Sequence, residues 1–137
     1  MKILIIDGQG GGIGKQLITA IKSSAVLEGA EILAVGTNTV ATSAMLKSGA
    51  DSAATGENAV VVGCRRADVI VGPIGIVIAD SLYGEITPKM ALTVGQSAAK
   101  RILIPVNHCE NVVVGVPELA VNKLVAEAVV EIEKILE

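Results

Sequence analysis

Residues 2–15 read KILIIDGQGGGIGK: an isoleucine-rich run that ends at Asp7 and turns through Gly8, Gly10, Gly11, Gly12 and Gly14 towards Lys15. A short, unbroken apolar run closed by glycine predicts a strand buried on both faces. Over residues 13–25, Leu17, Ile18, Ile21 and Ala25 fall on one side while Lys15 and Lys22 fall on the other, which is helical spacing. A strand, a glycine loop and a helix therefore open the chain, and the rest alternates in the same way. Residues 31–35, 68–71, 101–106 and 112–116 read as strands. Helices are expected at 39–47, at 88–99 with Pro88 in its first turn, and from 117 to the end. Residues 51–66 admit two readings. Either 51–55 is a short strand before a helix at 57–66, the reading adopted, or the valines within 59–62 form a strand of their own. The pattern predicts an α/β fold, a three-layer Rossmann-like sandwich with a mostly parallel sheet of about five or six strands. Without an internal repeat, low-complexity tract or linker, residues 1–137 are expected to form a single domain.

Composition narrows the function classes. Hydrophobic residues make up 51% of the 137 and charged residues 18%, an apolar balance for one small domain. The surplus is expected at a subunit interface, so a homo-oligomer is predicted. The apolar stretch 69–79 is broken by Gly72, Pro73 and Gly75 and falls short of the roughly 20 residues of a span, so no membrane is expected. No charged and then apolar leader opens the chain, and a cytoplasmic location is the expectation. Net charge is −3 and Tyr83 is the only aromatic residue. With neither a basic face nor stacking rings, nucleic acid is not an expected partner. Cys64 and Cys109 lie far apart without a CxxC pattern, which suits free thiols in a reducing compartment.

Glycines allow positive φ and let backbone approach a bulky anion. The helix that follows adds unpaired N–H groups and the positive end of its dipole. The loop therefore reads as a phosphate site built from Gly8, Gly10, Gly11, Gly12, Ile13 and Gly14. Gly8, Gly12 and Gly14 match the G-x-x-x-G-x-G spacing of short-chain dehydrogenases, and Gly12-Ile13-Gly14 resembles their signature. That resemblance implies that Gly8 makes the turn, Gly12 admits a pyrophosphate and Gly14 lets helix approach strand. NAD(P) or another nucleotide is the cofactor class implied. Asp7 stands against a phosphate unless it caps loop amides or holds a cation. The acidic residue expected about 20 positions on, for ribose hydroxyls, is replaced by Gly36-Thr37-Asn38, leaving Thr37 or Asn38 for that role. Dehydrogenase catalysis of this kind is excluded, because its Tyr-x-x-x-Lys would place a lysine where Thr87 stands. A P-loop would need glycine at Gln9 and Ser or Thr at Gln16. A glycine-rich turn without any ligand is the competing reading of the loop.

Ligands of open parallel sheets sit beyond the carboxyl ends of the strands. Gly72, Pro73 and Gly75 follow one such strand and Asn107 another, and all are candidate lining residues. His108 adjoins Cys109; with Asp7 or Cys64 these would give a metal site or an imidazole-activated thiolate. Asp7, His108 and Cys109 are thus the candidate chemical groups, and no metal site is assigned. Glu57 with Asn58, and Arg65 with Arg66, are read as a helix cap and a solvated face.

Across almost the whole chain the sequence resembles a family of short bacterial proteins known as domain of unknown function 3842. The likeness is carried by IDGQGGGIGK, GTNTVATSAMLKSGA, TGENAVVV, ADVIVGPIGIVIADSLYGEITPKMA and KRILIPVN; it implies no activity. ADVIVGPIG, a later helix and a strand ending at Asn107 are similar to phospholactate transferases and gluconeogenesis factors, which implies a nucleotide-linked ligand. Together these features predict a nucleotide- or dinucleotide-binding module. A small enzyme and a ligand-free structural subunit of a homo-oligomer are the alternatives.

Overall fold

The computed structural model describes residues 1–106 and 110–137. Five strands, β1 (Lys2–Asp7), β2 (Glu31–Gly36), β3 (Ser52–Thr55), β4 (Val69–Pro73) and β5 (Lys100–Ile104), form one sheet in the order β3-β2-β1-β4-β5. Every pairing is parallel. Among the described residues five helices connect and follow them: α1 (Gly12–Lys22), α2 (Thr39–Lys47), α3 (Glu57–Arg66), α4 (Pro88–Gln96) and α5 (Val121–Ile135). A 3₁₀ turn, Ile74–Val77, leaves β4.

The period of two in β1 divides the core. Ile3 and Ile5 join Leu17, Ile18 and Ile21 of α1, Met45 of α2 and Val125 and Ile132 of α5. Leu4 and Ile6 point the other way, to Val60 of α3, Ile76 and Met90 and Val94 of α4. Helices thus cover both faces, as a wholly parallel sheet requires. The three-layer α/β fold is the one the alternation of apolar and polar runs predicts. Residues 57–66 are helical: Glu57 starts α3 and Arg65 and Arg66 end it, each complementing the local end of the helix dipole.

Several boundaries differ from expectation: α1 ends at Lys22 rather than 25, α4 at Gln96 rather than 99 and β5 at Ile104 rather than 106, and two differences are larger. Residues 112–116 are not a strand, so the described residues give five strands, the lower of the two numbers expected. Gly115, at φ 80°, turns the chain, and the Val116 amide donates to the Val113 carbonyl at 3.4 Å. A run of valines becomes a strand only beside a partner, and here Val113 and Val116 face a cleft. The last helix starts at Val121, because Ala120 is still extended (ψ 144°). Among the described residues no helix is long and apolar enough to cross a membrane.

Candidate functional site

Strand order reverses between β1 and β4, because β2 leaves β1 on one side and β4 pairs on the other. At such a switch point the loops diverge and leave a crevice beyond the strand ends. A cleft of about 710 Å³ lies there, within the size range of small-molecule sites. Asp7, Gly8, Gln9, Gly10, Gly12 and Ile13 form one wall of it. Pro73, Leu82, Pro105 and Val106 line the floor and far side, and residues 113–121 close it with Val113, Val116 and Leu119. One wall is therefore polar backbone and the other is aliphatic.

The glycine loop is locked from beneath by its own strand. The buried Asp7 carboxylate accepts from Gly8 N (2.8 Å) and Gly14 N (2.7 Å). Gly11, at φ 73°, occupies the N-cap of α1 with no side chain to offer, so Asp7 serves as the cap from the strand end. Burial pushes the Asp7 pKa up. The amides of Gly14, Gly8 and Ile13 pull it back in part, and the charge of Glu85 adds to the rise. Glu85 holds the outer side of the loop. Its carboxylate accepts from Gln9 N (3.1 Å), from the Thr37 hydroxyl (2.7 Å) and from Asn38 Nδ2 (2.6 Å). Burial alone would raise its pKa, but these three donors outweigh it and hold Glu85 below the ordinary value.

Amide accounting follows from this geometry. Gly8, Gln9 and Gly14 donate to carboxylates, Gly11 donates to the Gly8 carbonyl, and Lys15 closes the first helical turn on Gly11. The Gly10 and Gly12 amides donate to none of the described residues. The amide set open to a ligand is thus smaller than the glycine run predicts, and it lies on the cleft side. The glycines also differ in what excludes a side chain. A Cβ on Gly8 would press on Thr37 and Leu82, one on Gly11 on the α2 backbone at Ala41, and one on Gly14 on Met45. At Gly10 and Gly12 a Cβ would meet nothing within 4 Å, and neither residue has positive φ. Packing and backbone geometry require glycine at Gly8, Gly11 and Gly14 and leave it unexplained at Gly10 and Gly12, both of which line the cleft.

The remaining predicted residues are placed as follows. Thr37 and Asn38 follow β2 on the side of β1 away from the cleft, where Asn38 caps α2 through Ala41 N (2.9 Å) and donates to the Gln9 carbonyl. Pro73 lines the cleft. Gly72 is buried, with Ile6 O where its Cβ would be, so β1 and β4 require it. Gly75 is buried and its carbonyl accepts from Ser81 Oγ. Cys64 lies in the last turn of α3, by the start of β4 and hence at the opposite end of the sheet from Asp7; burial pushes its thiol up to about 11. That thiol is neutral and weakly nucleophilic at physiological pH. Asn107, His108 and Cys109 lie outside the described residues. Among the described residues no three His, Cys, Asp or Glu side chains gather as a metal site. Glu57 accepts from the Thr87 hydroxyl (2.6 Å), which ties α3 to the N-cap of α4. From sequence Glu85 reads, with Asp80 and Lys89, as part of a solvated loop after an apolar run, whereas its carboxylate is engaged by Gln9, Thr37 and Asn38. It lies 48 residues from Thr37, and only the folded course of residues 79–86 brings it to the loop.

The family model described as "Domain of unknown function (DUF3842)" matches residues 2–137. The chain belongs to that family. Its sequence matches no curated protein. Among solved structures, it is similar to a dodecameric FMN-dependent Ubix-like decarboxylase from Escherichia coli O157:H7. The TM-score is 0.44 at 15% identity, over 99% of this chain and 94% of that one.

Proposed function

We propose that this chain is a binding module for a small nucleotide-type ligand held in the cleft between β1 and β4. The ligand's phosphate accepts from the Gly10 and Gly12 amides at the head of α1, and its less polar body lies against Val106, Val113 and Leu119. The reading rests on one observation: two exposed loop residues that border the cleft are glycine although neither φ nor any neighbour calls for it. Close approach of a ligand to the backbone supplies the missing reason. A mononucleotide suits the site better than a dinucleotide such as NAD(P). Thr37 and Asn38, where a second nucleotide half would lie, are engaged with Glu85. Binding also suits the site better than catalysis, because the Asp7 carboxylate is committed to loop amides and the Cys64 thiol is remote. A homo-oligomer is part of the proposal, on the strength of exposed Val40, Leu92, Val112 and Val114.

Thermal-shift measurements with AMP, GMP, UMP, FMN and NAD test the reading. A ligand at 100 times its Kd adds about 2.7 kcal/mol to stability. At least one mononucleotide is expected to give such a shift to the native chain and none to Gly12→Asp. An aspartate in the first turn favours the helix dipole, so the variant keeps its own melting temperature while its side chain blocks the anion. A shift that survives in Gly12→Asp defeats the proposal.

A further inference from the structure

We propose that Gln9, Thr37 and Asn38 form a second anion subsite, filled here by the protein's own Glu85 carboxylate and open to the outer phosphate of a diphosphate-bearing ligand once Glu85 swings out. This rests on the phosphate reading of the cleft and extends it. Three donors from two chain segments converge on one oxygen, Glu85 Oε1: Gln9 N at 3.1 Å, Thr37 Oγ1 at 2.7 Å and Asn38 Nδ2 at 2.6 Å. Such convergence is what an anionic oxygen demands, and charge-assisted bonds of this kind are the stronger ones.

The donors do not depend on Glu85 for their placement. Asn38 is fixed by accepting from Ala41 N and by donating to the Gln9 carbonyl, and the Thr37 backbone is tied to Asp7 O at 3.0 Å. The occupant is the costly part. Glu85 is delivered by a loop in which Asp80, Leu82 and Tyr83, none of them glycine, have φ between 55° and 65°. Left-handed backbone is disfavoured for residues with a Cβ. The subsite adjoins the cleft through the Gln9–Gly10 peptide, so phosphates on the two would be neighbours. Leu82, on the same loop as Glu85, lines the cleft and links its filling to movement of that loop.

NMR titration of the full ¹⁵N-labelled chain with pyrophosphate and with inorganic phosphate tests the subsite. In Glu85→Ala pyrophosphate is expected to bind on the order of tenfold more tightly than to the native chain, with the Gln9 amide and Asn38 side-chain signals moving. Inorganic phosphate should gain far less. Glu85→Gln, which keeps the side chain's shape and removes its charge, should give an intermediate gain and serves if the alanine variant does not fold. Excess pyrophosphate should move the same signals in the native chain. Unchanged or weaker pyrophosphate affinity in a folded variant, or a static Asn38 while Gly10 and Gly12 respond, overturns the subsite and leaves the cleft reading intact. Conversely, Asn38 responding while Gly10 and Gly12 stay still overturns the cleft reading alone.

Discussion

Glycines of one loop carry the same letter for different physical reasons, and substitution separates them. Gly14→Ala drives a Cβ into the Met45 side chain and towards Asp7, so denaturant titration should show a loss of about 1–3 kcal/mol. Gly12→Ala meets nothing, and its stability should stay within about 1 kcal/mol of the native chain, or rise slightly, while ligand-induced stabilisation falls. Sequence could not sort these positions, because Met45 and Ala41, the neighbours that decide, belong to α2. Asp7 was legible as a problem, a carboxylate at an anion loop, and its resolution as a cap on Gly8 and Gly14 needed the folded geometry. The sign of its pH effect follows from its raised pKa. Between the unfolded and folded values the native chain holds a proton that the unfolded chain has released. That contribution is therefore complete below the unfolded pKa and is lost as pH rises through the folded one. Asp7→Asn should abolish this slope. It should also lower stability by about 1–3 kcal/mol, because one amide oxygen cannot serve both N–H groups. Urea titrations between pH 3 and pH 8 compare the two chains.

At the scale of elements, β1 and α1 were readable because a buried parallel strand and an amphipathic helix each print their own period on the sequence. The same held for α4, where Pro88 follows a Thr87 cap that accepts from Met90 N at 3.1 Å. Thr87→Ala removes that cap and the bond to Glu57, and should cost about 1–2 kcal/mol in chemical denaturation. Residues 112–116 misled because β-branched side chains signal a strand only where a free edge receives them. Gly115 turns the segment, and its valines serve the cleft wall. The end of β4 combines both lessons. Gly72 looked like a strand terminator with a possible role at a ligand, whereas its lack of a side chain lets β4 lie against the Ile6 carbonyl of β1.

For the molecule as a whole, the strand order, with the reversal between β1 and β4 that marks the proposed ligand site, came with the folded structure, whereas the parallel sheet itself followed from the alternation of strands and helices. The Glu85 contacts did not, since no local pattern links a turn at 79–86 with the ends of β1 and β2. Surplus apolar character was visible in composition, and the fold leaves part of it outside: Val112 is 85% and Val114 93% exposed. Light scattering coupled to size exclusion at micromolar concentration should return a multiple of 13.9 kDa; a monomer would remove the oligomer from the account. The central claim, an anion held by backbone at the head of α1, is met most directly by a crystal structure of the chain grown with a stabilising mononucleotide. The account predicts phosphate oxygens within about 3 Å of the Gly10 and Gly12 nitrogens. A nucleotide bound elsewhere, with those two amides facing only water, would contradict it.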